Sequence, residues 1–149
     1  MTGPRGDTWI WLYRIALNAL RRPADAEDAA QTVMLRVWQF GEGFQGEEHL
    51  RHWLARVTVN VCRDMARSPW HRRMVPLEHC PEPSFSAPEQ GTLFRAVMDL
   101  PGKYRLPLYL YYYEGYAVAE VGELLGLKPS TVQTRLARGR EKLKTMLEE

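Results

Sequence analysis

The residues best suited to chemistry lie in the last quarter of the chain, and their chemistry is recognition rather than catalysis. Between Lys128 and Leu147 stand six basic side chains (positions 128, 135, 138, 140, 142 and 144) against one acid, Glu141. The set expected to face outward is Lys128, Ser130, Thr131, Gln133, Thr134, Arg135 and Arg138. Amides, hydroxyls and guanidiniums of this kind read base edges and grip phosphates. A second basic set, Arg51, Arg56, Arg63 and Arg67 with Asn60, is interleaved with apolar positions upstream. On composition alone that set is equally what a solvated helix face looks like. Nothing points to an enzyme. Asp25, Glu27 and Asp28 precede an apolar helical run and suit its positive first turn. No nucleophile–base pair, phosphate-cradling glycine loop or HExxH accompanies them. Cys62 and Cys80 are the only cysteines and have no paired spacing. His79 beside Cys80 has no further ligands near it, so no metal, disulfide or cofactor is expected.

The elements that must hold the outward set are two helices and a tight turn. Val121, Leu124 and Leu125 share one helical face. Gly126 supplies a left-handed cap, and Pro129 suits the first position of the next helix. Val132, Leu136, Leu143 and Leu147 form the stripe expected to seat that helix against the first. The pattern is a helix-turn-helix whose second helix is presented to a major groove. Arg140, Lys142 and Lys144 have a blander reading as complements to the carbonyl end of that helix.

Further upstream, Thr8–Leu20 is apolar at helical spacing and ends at Arg21-Arg22-Pro23. Asp25 is expected to cap a second helix running through Val33, Met34, Val37 and Trp38 to Gly41. Leu50, Trp53, Leu54, Val57, Val61 and Met65 give a third. Residues 75–91 contain Pro76, Pro81, Pro83 and Pro88 without periodicity, which reads as a linker. Two more helices are expected over Thr92–Leu100 and Leu106–Glu114, the latter with Leu108, Leu110, Tyr111 and Tyr112 in the core. The tyrosine run also admits base stacking, but core packing is the simpler account. The fold class is therefore all-α, with two small helical domains at residues 1–75 and 92–149 joined by a Pro-rich linker at 76–91. Residues 1–75 carry 11 basic and 8 acidic side chains, 76–100 carry 1 and 4, and 101–149 carry 8 and 6. An acidic connector thus separates two mildly basic blocks. The start of the chain lacks the pattern of a signal peptide, and no apolar run approaches membrane-spanning length, so a reduced, cytoplasmic setting is expected.

The order D-A-E-D-A-A-Q, W-x-F, F-Q-G, W-L-A-R-V-x-x-N-x-x-x-D, then Y-Y-Y-E-G-Y, E-L-L-G-L and S-T-V-Q-T-R-L-A-R-G-R resembles an extracytoplasmic-function sigma factor. This is the two-domain class of the bacterial sigma-70 family. The resemblance implies that residues 1–75 (region 2) bind the clamp helices of core RNA polymerase and melt the −10 element. It implies that residues 92–149 (region 4) bind the flap and read the −35 element. Carried over by motif, Asp28, Gln31, Leu35, Arg36 and Trp38 would face polymerase. Phe44, Gln45 and Gly46 belong to a loop accepting a flipped base, with Asn60 near that pocket. Arg56, Arg63 and Arg67 would hold the −10 strand. Lys128, Ser130, Thr131, Gln133, Thr134, Arg135 and Arg138 would read −35.

The chain departs from the family pattern in three places. Thr32 stands where a glutamate usually follows Gln31, Gln45 stands where the loop usually carries arginine, and the first helix starts later than usual. An anti-sigma factor is a common partner in the family. The alternative reading is a stand-alone helix-turn-helix regulator that binds duplex DNA as a dimer.

Overall fold

The computed structural model describes residues 6–40, 46–67 and 91–148. The chain divides into two compact units, Met1–Glu82 and Pro83–Glu149. Among the described residues every regular element is helical.

The first unit has three helices, α1 (Gly6–Leu20), α2 (Pro23–Phe40) and α3 (Glu47–Arg67), each packed against the other two. Leu12, Ile15, Ala16 and Leu17 of α1 are buried against Ala26, Ala29, Ala30, Val33 and Val37 of α2 and Leu54, Ala55, Val59, Val61 and Cys62 of α3. The buried face of α2 is mostly alanine, whose short side chain lets neighbouring backbones come near. Two polar side chains in this core are satisfied locally, as burial requires. Asn18 donates from Nδ2 to the Arg14 carbonyl at 2.9 Å, and the Thr58 hydroxyl donates to the Leu54 carbonyl at 2.6 Å.

The α1–α2 junction differs from expectation. Arg21 takes a left-handed conformation (φ 72°), and its N–H donates to the Leu17 carbonyl at 2.7 Å, closing α1. α2 then starts at Pro23, where a fixed φ and a missing N–H fit the first helical position. The Arg22 carbonyl accepts the first bond, from the Ala26 N–H at 2.9 Å. Asp25 is therefore not the cap. It lies inside the first turn, with its carboxylate 3.9 Å from the Arg22 guanidinium. Glu27 and Asp28 fall beyond that turn.

The second unit comprises α4 (Gly91–Asp99), α5 (Gly102–Leu108), a π-helical turn (Tyr109–Tyr113), α6 (Val118–Leu125) and α7 (Pro129–Glu148). α4, α5 and α6 all pack on α7. The helix expected over Leu106–Glu114 begins earlier, at Gly102, and widens at Tyr109. There the Glu114 N–H reaches back five residues to the Tyr109 carbonyl at 3.1 Å. A π turn inserts one residue into the helical period, so positions beyond it change face. Leu108 and Leu110 are core as expected, but Tyr111 is only half-buried and Tyr112 is 58% exposed. Tyr104, Arg105 and Leu106 are buried in their place. The Arg105 guanidinium donates to the carbonyls of Leu100 at 2.7 Å and Met98 at 3.3 Å, satisfying the end of α4. The apolar stripe of α7 also stops short of expectation. Leu143 is half-buried and Leu147 is 45% exposed, while Gly139 is buried.

Candidate nucleic-acid interface

The helix-turn-helix is built from backbone constraints outward. α6 opens at Ala117, whose N–H is accepted by the Glu120 carboxylate at 2.9 Å. Val121, Leu124 and Leu125 are buried, and Gly126 ends the helix at φ 70°, ψ 35°, as its sequence requires. The Leu127 N–H then donates to the Gly122 carbonyl at 2.8 Å. α7 starts at Pro129, with the Lys128 carbonyl accepting from the Val132 N–H at 3.1 Å. Val132 and Leu136 are buried and fix which face of α7 points away.

That outer face carries the expected set. Lys128, Ser130, Gln133, Thr134 and Arg138 are exposed, and Thr131 and Arg135 are partly covered. Ser130, Thr134 and Arg138 recur every four residues in one stripe, with Thr131 and Arg135 on one flank and Gln133 on the other. At 1.5 Å per residue the stripe spans about 12 Å, comparable to the width of a major groove. The Thr134 hydroxyl donates to the Ser130 carbonyl at 3.0 Å, so it meets a ligand as an acceptor. Arg140, Lys142 and Lys144 do not serve the end of α7, because its last turn holds no basic residue. Arg140 instead donates to the Tyr112 hydroxyl at 2.8 Å, and the Lys142 ammonium lies 5.7 Å from the centre of the Tyr104 ring.

In the first unit, Asp28, Gln31, Leu35, Arg36 and Trp38 are all exposed on α2. Asp28, Gln31, Leu35 and Trp38 follow at spacings of 3, 4 and 3 and so share one stripe, away from the buried alanine face; Arg36 stands to its side. Leu35 is 64% and Trp38 80% exposed, leaving two large apolar side chains in water on one helix. Thr32 does not replace the missing carboxylate: its hydroxyl donates to the Asp28 carbonyl at 2.9 Å. On α3, Arg56, Asn60 and Arg67 are exposed and Arg63 partly so. Their spacings of 4, 3 and 4 place all four on one face. Arg51 lies 4.6 Å from the centre of the Trp11 ring, a cation–π contact. Gly46, exposed at φ 104°, precedes α3 and accepts the Leu50 N–H at 3.2 Å. Phe44 and Gln45 lie outside the described residues, as do His79, Cys80 and most of the linker.

Burial pushes the Cys62 thiol up to about 12, which removes it as a nucleophile. Tyr13 is raised by burial and by the nearby Glu27 carboxylate. Among the described residues no group of three or more His, Cys, Asp or Glu could hold a metal ion. Likewise, none of their helices is long and apolar enough to cross a membrane.

Sequence reasoning missed two residues that set this geometry. A Cβ on Gly139 would stand 2.8 Å from Leu108 Cδ1, so the glycine lets α7 lie close on α5. Arg105 was hidden because a basic residue between apolar ones reads as surface. A glycine three residues after Leu136 and seven after Val132, on the apolar side of the helix, was the sequence signal for Gly139.

Two family models match the chain: Sigma-70 region 2 over residues 10–72 and Sigma-70, region 4 over residues 91–143. The chain is 32% identical over 139 residues to "ECF RNA polymerase sigma factor SigM" of Mycobacterium tuberculosis, covering 91% of this chain and 71% of the relative. It is 27% identical over 154 residues to "ECF RNA polymerase sigma factor SigW" of Bacillus subtilis, covering 91% and 82%. Among solved structures, it resembles the sigma factor RpoE in complex with the anti-sigma factor NepR from Bartonella quintana. The TM-score is 0.69 at 17% identity, over 94% of this chain and 91% of that one. CnrH in complex with the cytosolic domain of CnrY gives 0.64 at 22% identity, over 93% and 81%. At these identities the structural likeness speaks for the fold.

Proposed function

Because this chain belongs to the extracytoplasmic-function group of the sigma-70 family, we propose that its two helical units divide promoter recognition between them. It is a transcription initiation factor that directs core RNA polymerase to promoters. The observation that carries this is the succession of a region 2 match and a region 4 match, each falling on its own unit. In our reading residues 1–75 bind core polymerase and open the −10 element, and residues 92–149 read −35. The bond-making chemistry stays with polymerase, and the setting is the bacterial cytoplasm where polymerase works.

The residue assignments follow from exposure and chemistry. The Asp28–Gln31–Leu35–Trp38 stripe runs from two polar side chains into two exposed apolar ones, the mixed composition of a protein-binding patch. It is the surface we assign to the clamp helices. The Arg56–Asn60–Arg63–Arg67 face has cations to hold a single strand and an amide to hydrogen-bond a base drawn out of the stack. The Ser130–Thr134–Arg138 stripe with its flanks reads the −35 groove. One of the resembling structures is of a sigma factor in complex with an anti-sigma factor. We extend that to an anti-sigma partner covering the α2 stripe here. A stand-alone regulator is not favoured, since region 2 accounts for the N-terminal unit. Titration of bacterial core polymerase with the labelled chain tests the reading. Saturable one-to-one binding is expected, and absence of binding contradicts it.

A further inference from the structure

We propose that Arg140 is a phosphate-gripping residue of the −35 duplex interface, positioned for that task by the Tyr112 hydroxyl. The proposal rests on the assignment of α7 to the groove and extends it beyond the base-reading stripe.

Arg140 is exposed on α7, one and two turns from the exposed Lys144 and Gln133 along a single edge. That edge borders the Ser130–Thr134–Arg138 stripe. Its bond to Tyr112 is of a particular kind. The Arg140 guanidinium donates at 2.8 Å to a neutral phenol oxygen rather than to a carboxylate. The bond fixes the direction of the side chain without cancelling its charge. A guanidinium has five N–H donors, so most remain for an anion. Prior ordering also lowers the rotamer entropy lost when a phosphate is gripped.

The backbone is arranged to make this contact. A π turn is rare and tends to mark functional positions. The one here, Tyr109–Tyr113, adds a residue to the helical turn and so rotates the residues after it by about 100°. Tyr112 lies within the turn and is 58% exposed, with its hydroxyl at α7. The charge does not serve the helix end, which lies two turns further on and has no basic residue in its last turn. Lys142 is committed elsewhere, against the Tyr104 ring.

The test uses the full chain assembled with bacterial core polymerase and duplexes that this holoenzyme selects from a random promoter library. Affinity is measured across a salt series for the parent, Arg140→Ala, Tyr112→Phe and Arg135→Ala. Loss of one phosphate contact lowers the slope of log affinity against log salt by about 1. The proposal expects that change for Arg140→Ala, with weakening of the same size on all −35 sequences. For Tyr112→Phe it expects a several-fold weakening with base preference kept. An unchanged slope for Arg140→Ala, including the case where only its melting temperature falls, overturns the proposal and leaves a structural pin. Arg135→Ala separates the two levels. If it too leaves −35 affinity and preference unchanged, the assignment of α7 to the groove has failed; if it alone matters, only the role of Arg140 has.

Discussion

A Cβ placed on Gly122 would stand 2.6 Å from the carbonyl oxygen of Leu127, closer than a methyl carbon can sit to a backbone oxygen. The turn of the helix-turn-helix is this tight because the chain must reverse within a few residues to seat Val132 on α6. Alanine normally gains up to about 1 kcal/mol over glycine inside a helix. At Gly122 the obstacle is a backbone carbonyl that cannot swing aside, so the clash outweighs that gain. Gly122→Ala is expected to destabilise the C-terminal unit by about 1–3 kcal/mol in denaturant unfolding. Stabilisation would show that the turn relaxes freely.

Trp38 is the converse case, a large side chain contributing little to the fold. At 80% exposure its removal leaves no cavity. Trp38→Ala should change unfolding free energy by less than about 0.5 kcal/mol. It should cost about 2 kcal/mol or more in affinity for core polymerase, the scale of an aromatic anchor. A variant that loses stability but binds core normally would return Trp38 to a packing role.

Asn60 shares a face with Arg56, Arg63 and Arg67, but only it can pair with a base edge without adding charge. Asn60→Ala is therefore expected to slow promoter opening, read by permanganate reactivity of the −10 strand, while duplex binding by the holoenzyme holds. Equal losses in both assays would argue for a general contact instead.

Cys62 couples the first unit to pH. Its thiol ionises near 12 when folded, against an ordinary 9.0. Between those values the unfolded chain has lost a proton that the folded chain keeps, so fewer protons are bound on unfolding and stability falls as pH rises. The contribution is whole below pH 9 and lost by about 12. The N-terminal unit should thus be less stable at pH 10 than at pH 8, and Cys62→Ala should narrow that difference. An identical pH dependence in the variant would assign the effect to other groups.

The parts of this protein most legible from sequence were those where backbone chemistry leaves few choices. Gly126 and Pro129 bracket the turn of the helix-turn-helix, and the residues between buried Val132 and Leu136 had to face outward. The exposure of Leu35 and Trp38 was not legible from pattern: an apolar residue on an amphipathic helix reads as core, and only the family motif turned them outward. The cap was misjudged because Asp25 is a strong cap by type, whereas Pro23 two residues earlier is a stronger start by geometry. The π turn at Tyr109–Tyr113 left no periodic signature, so Tyr112, which lies within it and is exposed, reads as core from its sequence. Arg105 was invisible because its partners are the carbonyls of Met98 and Leu100, which side-chain types do not reveal.

As a member of the sigma-70 family, this chain confers promoter choice on polymerase. The most direct test is transcription from a random promoter library by purified bacterial core polymerase, with and without the chain. Start sites that appear only when the chain is present and that share −35 and −10 motifs are expected. No new start sites, together with a dimer that shifts duplex DNA unaided, would contradict this.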